Sequence, residues 1–170
     1  MCPCPQAAFR SLESASRRFA QLLCLGPTLK LPSGALDLML DDPISFRGSL
    51  SSSSLDVVEY SGRGDPCPCH VDKGLLTVIV CPSGCSEALR VRLPGGPATT
   101  VALAPGSAAV LPGWELEVLT GGRVRASEHW LDPAALAQEP GRMAFCFKLR
   151  CNLQVRVGCS SWLRRHCLPC

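Results

Sequence analysis

The residues best suited to chemistry are a histidine and an aspartate two positions apart, and a second histidine further along the chain. His70 and Asp72 come just before an apolar run, and His129 lies inside a later one. In an extended segment alternate side chains point to the same side, so His70 and Asp72 could converge. Two imidazoles and one carboxylate are the donors that hold non-haem Fe(II) while leaving other metal positions open. The pattern therefore predicts a metal centre.

The cysteines around this segment leave a different metal chemistry open. Cys67, Cys69, Cys81 and Cys85 flank His70. Structural zinc sites favour pairs of cysteines separated by two to four residues, a spacing that Cys81 and Cys85 meet and that Cys67 and Cys69 do not. A cysteine–zinc module is therefore one alternative, and a purely structural role for the histidines is another.

An arginine favours the metal centre over structural histidines. Arg142 follows His129 by thirteen residues and opens the apolar segment RMAFCFKLR. The planar guanidinium binds a carboxylate through two parallel hydrogen bonds, so a buried arginine at the start of a strand can hold a dicarboxylate by one end. A metal centre with such an arginine would have a specific small-molecule partner.

The elements that must position these residues are mostly short strands. Apolar residues at three- and four-residue steps predict a helix over 8–25, and 35–42 is typical of a helical turn. A serine-rich connection over 46–54 follows. Beyond it, short apolar runs alternate with glycine and proline turn signals, which indicates a sandwich or barrel-like double sheet. The predicted strands are 55–61, 75–81, 88–93, 99–104, 108–112, 115–120, 123–131, 142–150 and 153–157.

Composition and charge narrow the classes of partner. The chain has 170 residues and a net charge of +3, and its basic residues are scattered, which argues against a nucleic-acid-binding surface. No apolar stretch is long enough to cross a membrane, and the N-terminus lacks the apolar core of a signal peptide. We therefore expect the twelve cysteines to be mostly free thiols in the cytoplasm, or in an organelle reached through the basic, serine-containing N-terminus.

Between about residue 55 and residue 150, three motifs occur in a fixed order: HVDKGLLT, then PG … GWELEVLTGG, then RMA. They resemble the H-x-D-x-G-x-L-T, PG … G-[DE]-x-L-x-x-L-[ST]-N-G and R-x-S motifs of the Fe(II)- and 2-oxoglutarate-dependent dioxygenase superfamily. The branch with the greatest likeness is the isopenicillin N synthase-like one, in its C-terminal half. The matching residues are His70, Asp72, Gly74, Leu76, Thr77, Pro105, Gly106, Gly113, Leu116, Leu119, Thr120, Gly122 and Arg142.

The resemblance implies a mainly β fold, a double-stranded β-helix or jelly roll, with a short N-terminal helical segment. It implies that His70, Asp72 and His129 bind Fe(II). Arg142 would then pair with the distal carboxylate of 2-oxoglutarate, and O₂ would be the second cosubstrate. Tyr60 matches a tyrosine that often contacts the cosubstrate in this family, with a core aromatic as the alternative role. The implied activity is the oxidation, such as hydroxylation, of a C–H bond in a small organic substrate.

The predicted organisation has an N-terminal helical segment and serine-rich connection over 1–54, a dioxygenase domain over 55–157 and a cysteine-rich tail over 158–170. The chain departs from the family pattern in several places. Ala144 replaces the serine of R-x-S, Trp114 replaces an acidic residue and Gly121 replaces the asparagine. The N-terminal region is also shorter than in relatives, so a partner could complete the pocket. A non-catalytic jelly roll that acts as a binding module is the alternative function.

Overall fold

The described part of the chain forms two β-sheets and three helices in a computed structural model. The structure describes residues 5–25, 39–41, 51–60, 67–82, 86–139 and 141–152. Within these ranges no helix is both long and apolar enough to cross a membrane. The predicted strand over 153–157, the tail over 158–170 and most of the helical turn over 35–42 lie outside the described residues. In chain order the elements are α1 (Pro5–Leu25), β1 (Ser54–Tyr60), β2 (Leu76–Val80), β3 (Ser86–Arg92), β4 (Ala98–Leu103), β5 (Ala109–Pro112), α2 (Trp114–Leu119), β6 (Glu128–Leu131), α3 (Pro133–Leu136) and β7 (Arg142–Leu149).

The strands pair in an antiparallel arrangement throughout the two sheets. The first sheet has the order β1–β7–β2–β5, and the second has the order β4–β3–β6. Non-sequential neighbours such as β7 and β2 show that the chain crosses between the sheets. The predicted strand over 123–131 is confirmed only at its end, where β6 lies, whereas the β1 and β7 predictions agree with the structure to within one residue.

An apolar layer lies between the two sheets and a second one covers the outer face of the first sheet. Ile79 and Ala144 face the second sheet, where they meet Leu89 and Leu131. On the opposite face, Phe147 is fully buried among residues that include side chains of α1. Because strand residues alternate between faces, β2 and β7 are covered on both sides and form the centre of the molecule.

Helix α1 packs its apolar stripe against the first sheet. Phe9 meets Phe147 edge-to-face, with the ring centroids 5.2 Å apart. The periodicity over 8–25 correctly predicts this helix, which begins three residues earlier, at Pro5, a residue whose fixed φ suits the first turn. Phe19 and Leu22 of the same helix are exposed.

One predicted strand is a helix. The alternating letters of 115–120 favour a strand, but Leu116 and Leu119 are also three residues apart, which fits one face of a helix. The structure has α2 here, with Leu116 buried. Its first turn is held by tertiary contact, since the Trp114 N–H donates to the Asp72 carbonyl at 2.8 Å. The strand prediction for 115–120 is therefore wrong, because long-range packing overrides the local pattern.

Candidate metal centre

Backbone pairing brings the two histidines of the sequence motif together. The His70 N–H donates to the His129 carbonyl at 3.0 Å, and the His129 N–H donates to the His70 carbonyl at 2.9 Å. This isolated antiparallel bridge joins the segment before β2 to β6. The two imidazole centroids are consequently only 4.3 Å apart.

Asp72 completes a group of three potential metal ligands. Its Oδ2 lies 3.5 Å from His129 Nε2, and its Oδ1 lies 3.8 Å from His70 Nε2. One ligand atom from each of the three residues lies within 4.8 Å of the others. Side chains at this separation could hold a single metal ion on one face, as their types and spacing in the sequence predict.

The hydrogen bonds of the imidazoles direct Nε2 of both histidines at the centre. His129 Nδ1 lies 3.1 Å from the Ser127 carbonyl, and His70 Nδ1 lies 2.8 Å from the Pro68 carbonyl. A carbonyl only accepts, so each Nδ1 carries the proton and donates it. This is the arrangement that orients histidine ligands in metal sites, where the second ring nitrogen is bound to a backbone carbonyl or carboxylate.

The two histidines differ in their protonation. Burial lowers the pKa of His129, which favours the neutral imidazole that a metal requires. The contact between Cys67 Sγ and His70 Nδ1 (3.6 Å), helped by the Pro68 carbonyl and opposed by burial, raises the pKa of His70 to about 9. At neutral pH a metal ion would therefore displace a proton from His70.

Asp72 is held as a buried carboxylate by several donors and cations. Burial by itself would raise its pKa, but the Thr77 hydroxyl, Lys148 and the two histidines hold that pKa below its usual value. The Thr77 bond to Oδ2 is short, at 2.6 Å, and Lys148 Nζ lies 3.5 Å from Oδ1. The ionised form is therefore favoured, which is the form that binds a cation.

A close approach of two turns fixes the backbone after Asp72. A Cβ added to Gly113, which precedes α2, would lie 2.1 Å from the Gly74 carbonyl oxygen and 2.9 Å from that of Asp72. Only glycine fits at position 113. This packing accounts for the glycine at position 113 and sets the loop that carries Asp72. A Cβ added to Gly74 would instead lie 2.6 Å from the Leu149 carbonyl oxygen.

The three ligands line one side of a pocket of about 140 Å³ between the sheets. Alternate residues of β7 form a second wall, beginning with Arg142 and ending with Lys148. The register places Tyr60 opposite Arg142, and the Arg142 guanidinium carbon lies 5.1 Å from the centre of the Tyr60 ring. Both residues predicted to contact a cosubstrate therefore reach the same pocket as the metal-ligand group.

Arg142 carries a buried donor that lacks a partner within the described part of the chain. The side chain is 3% exposed, and its NH1 atom has no hydrogen bond among the described residues. Buried polar groups are nearly always satisfied, so an orphaned guanidinium nitrogen in a pocket indicates a site for an anion. The donor set thus fits both a metal ion at the His–Asp–His group and a carboxylate at Arg142.

Cysteines also reach this region without joining the ligand group. Cys67 and Cys146 line the pocket, and Cys81 is buried nearby, whereas Cys69 is exposed. Within the described ranges, no cysteine belongs to a cluster of three metal donors. Burial, first of all, raises the pKa of Cys146 to about 11, which keeps it a thiol. Cys85, which with Cys81 has the zinc-site spacing of the alternative interpretation, lies outside the described residues.

Several pocket residues were missed by the sequence interpretation. Cys146 and Lys148 follow Arg142 at even steps, so the two-residue period of a strand would have placed both on the pocket face. Asp56 has the same relation to Tyr60 on β1. Ser86, which contacts Arg142, carries no comparable signal because it lies 56 positions away in the sequence. Glu139 lies only three residues before Arg142 but belongs to none of the motifs.

Comparisons with known proteins find a likeness among solved structures, and this likeness concerns the fold. No protein-family model matches the sequence, and no curated protein matches it. Among solved structures, the chain is similar to a full-length protein of Neurospora crassa in complex with alpha-KG, with a TM-score of 0.63 and 15% identity over 86% of this chain and 48% of that one. It is also similar to a putative oxygenase from Shewanella oneidensis, with a TM-score of 0.59 and 16% identity over 86% of this chain and 57% of that one.

The predicted jelly-roll fold is confirmed. The resemblance to Fe(II)- and 2-oxoglutarate-dependent oxygenases that the sequence shows is likewise confirmed at the level of the fold. This chain spans about half the length of these structures. A further complex of the Neurospora crassa protein contains alpha-KG together with 5-formyluracil, and it matches with the same TM-score of 0.63.

Proposed function

We propose that this chain is an Fe(II)- and 2-oxoglutarate-dependent oxygenase domain that oxidises a C–H bond of a small organic substrate. The observation that carries the proposal is the convergence of His70, Asp72 and His129, with Nε2 of both histidines directed at the carboxylate. The orphaned NH1 of Arg142 in the same pocket supports a carboxylate-bearing cosubstrate. The likeness to the Neurospora crassa protein, which was solved with alpha-KG (2-oxoglutarate), adds support at the level of the fold.

Each residue would have a separate task. His70, Asp72 and His129 would hold Fe(II) and leave positions open for small ligands. Arg142 would pair with the distal carboxylate of 2-oxoglutarate, flanked by Tyr60. When bound, Fe(II) with 2-oxoglutarate and O₂ would supply the oxidation, in which 2-oxoglutarate yields succinate and CO₂. The protein's contribution is to bind, to orient and to limit the access of water.

The pocket walls are suited to limiting water around the metal group. Ile79, Leu89 and Leu131 line the pocket and belong to the core between the sheets. Ala144 also faces the pocket, where the family pattern has a serine. A hydrogen bond to a charged group contributes about 1.5–3 kcal/mol, so its loss would weaken 2-oxoglutarate binding by roughly 10- to 150-fold relative to a serine-bearing site.

Turnover of 2-oxoglutarate tests the proposal. Protein supplied with Fe(II), ascorbate and O₂ is expected to form succinate from 2-oxoglutarate, slowly in the absence of the substrate. Asp72→Ala should abolish this formation, because the remaining imidazoles lack the anionic ligand. Glu128→Gln is the control, since this exposed residue precedes His129 on the same strand and points to the other face. Succinate formation that persists in Asp72→Ala would refute the site assignment.

A non-catalytic binding module is the second candidate. Ala144 in place of the serine favours it. In that case a partner would complete the pocket or cover it. A protein that binds Fe(II) and 2-oxoglutarate but forms no succinate with any partner or candidate substrate would support this alternative.

A further inference from the structure

A chain of hydrogen bonds holds the back of the Arg142 guanidinium. Arg142 Nε donates to Ser86 Oγ at 2.8 Å, and Ser86 Oγ donates to Glu139 Oε2 at 2.8 Å. The second carboxylate oxygen, Oε1, accepts from the Glu87 N–H at 2.8 Å. The same Glu139 Oε2 lies 3.4 Å from Arg142 Nε. The direction of each bond is therefore fixed: Arg142 donates to Ser86, and Ser86 donates to Glu139.

Ser86 comes from a distant part of the fold, whereas Glu139 lies three residues before Arg142. Ser86 begins β3 in the second sheet and is 2% exposed, and Arg142 begins β7 in the first sheet. Glu139 lies between α3 and β7 and is partly exposed. Because the chain of bonds runs across both sheets, it ties the guanidinium to a rigid frame. A flexible arginine would otherwise sample several rotamers.

We propose that Ser86 and Glu139 are positioning residues, which together fix Arg142 so that the pocket selects a 2-oxo dicarboxylate of one length. The inference rests on the proposed function. The bonds engage Nε, on the inner side of the guanidinium, and leave NH1 without a partner among the described residues. One end of the dicarboxylate would lie at the metal group and the other at Arg142. Its length must then match the distance between the metal group and the guanidinium, which Ser86 and Glu139 hold constant.

The alanine at position 144 makes the positioning of Arg142 by Ser86 and Glu139 more important. In the family pattern a serine stands two residues after the arginine, on the same face of the strand. Ala144 offers no hydroxyl, so it can neither hold the arginine nor bind the carboxylate. Ser86 supplies a hydroxyl from the other sheet, but it contacts the arginine. Selection by length would therefore depend on the orientation of Arg142.

Calorimetric titration of the Mn(II)-loaded protein without oxygen tests the proposal, since it measures binding rather than turnover. The probes are oxaloacetate, 2-oxoglutarate and 2-oxoadipate, which differ by one methylene each. The wild-type protein should prefer 2-oxoglutarate. Ser86→Ala should weaken 2-oxoglutarate about tenfold, the effect of one hydrogen bond, and change the other two much less, so that the preference is largely lost.

Glu139→Gln provides a second variant. An amide has one acceptor and one donor, so it cannot accept from both the Glu87 N–H and the Ser86 hydroxyl, and the chain of bonds breaks. It should reduce the preference in the same way, and the double variant should lose little more than the larger single one, since both act on Arg142. If Ser86→Ala does not fold, Glu139→Gln decides the question.

The controls separate the positioning role from the proposed function. Ser16→Ala removes another buried serine hydroxyl, one that bonds within α1 far from the pocket, and should leave the preference intact. A wild-type protein that binds none of the probes would refute the proposed function. A wild-type protein that prefers 2-oxoglutarate, with variants that keep this preference or weaken all three probes equally, would overturn the positioning role alone.

Discussion

Replacing Thr77 by valine removes one hydroxyl and leaves the shape of the side chain nearly unchanged. Thr77 Oγ1 donates to Asp72 Oδ2 at 2.6 Å, and both side chains are buried. A hydroxyl bond of this length to a carboxylate belongs to the strong, charge-assisted class. Valine suits a strand as well as threonine does, so the effect of Thr77→Val reports the bond itself.

The expected magnitude follows from the role of Asp72 as the anionic ligand. A hydrogen bond to a charged group contributes about 1.5–3 kcal/mol, and residues that orient metal ligands typically change metal affinity by about 10- to 100-fold. Thr77→Val should therefore raise the dissociation constant for Mn(II) by about 10- to 100-fold. Lys148 and the histidines still face Asp72, so binding should weaken without disappearing.

The same substitution should change stability with a definite pH dependence. The pKa of Asp72 is lowered in the folded chain, with Thr77 among the causes. A carboxyl group of this kind stabilises the fold above its unfolded pKa, and this contribution is lost as the pH falls through the folded value. Thr77→Val should raise the pKa of Asp72, so the metal-free variant should be less stable at pH 7, and the difference from wild type should shrink below about pH 4.

Two measurements check these expectations. Calorimetric titration with Mn(II) gives the affinity, and urea denaturation of the metal-free protein at pH 7 and at acid pH gives the stability. Thr99→Val, on the exposed face of β4, is the matched control. A change in Mn(II) affinity of less than threefold in Thr77→Val, no larger than in Thr99→Val, would refute the reasoning about Asp72.

Three further predictions concern the loop, the pocket thiol and the cosubstrate wall. Gly113→Ala should destabilise the fold by about 3 kcal/mol or more, measured by urea denaturation, because its Cβ would lie 2.1 Å from the Gly74 carbonyl oxygen. Cys146 should react with iodoacetamide far more slowly than the exposed Cys69 at pH 8, and its rate should rise until about pH 11, since burial raises its pKa to about 11. Ala144→Ser should tighten 2-oxoglutarate binding about tenfold in calorimetry, because it adds a hydroxyl to the pocket wall. Equal stability, equal alkylation rates or unchanged affinity would contradict the respective prediction.

The sequence is sufficient to predict those site residues whose position follows from the local pattern of the chain. His70 and Asp72 lie two positions apart, and their shared direction follows from extended backbone alone. His129 and Arg142 are identifiable because each opens or occupies an apolar run that fits a strand. The family motifs then assign the three segments that carry these residues to one site, and the structure brings the segments together at one pocket.

The features that the sequence did not predict depend on contacts between distant segments. The letters from Glu115 to Leu119 fit both a strand and a short helix, and the packing of Gly113 against Gly74 together with the bond from Trp114 to Asp72 favours the helix. In the same way, Ser86 meets Arg142 across 56 positions of sequence. No local periodicity reports such a contact.

Anaerobic titration of the purified protein with Fe(II) and 2-oxoglutarate tests the central claim most directly. If Fe(II) is held by His70, Asp72 and His129, and 2-oxoglutarate binds to it, a weak visible charge-transfer band should develop and saturate at one equivalent of each. The band should be absent in Asp72→Ala and need much more 2-oxoglutarate in Arg142→Met. No band in the wild-type protein, or an unchanged band in Asp72→Ala, would contradict the account.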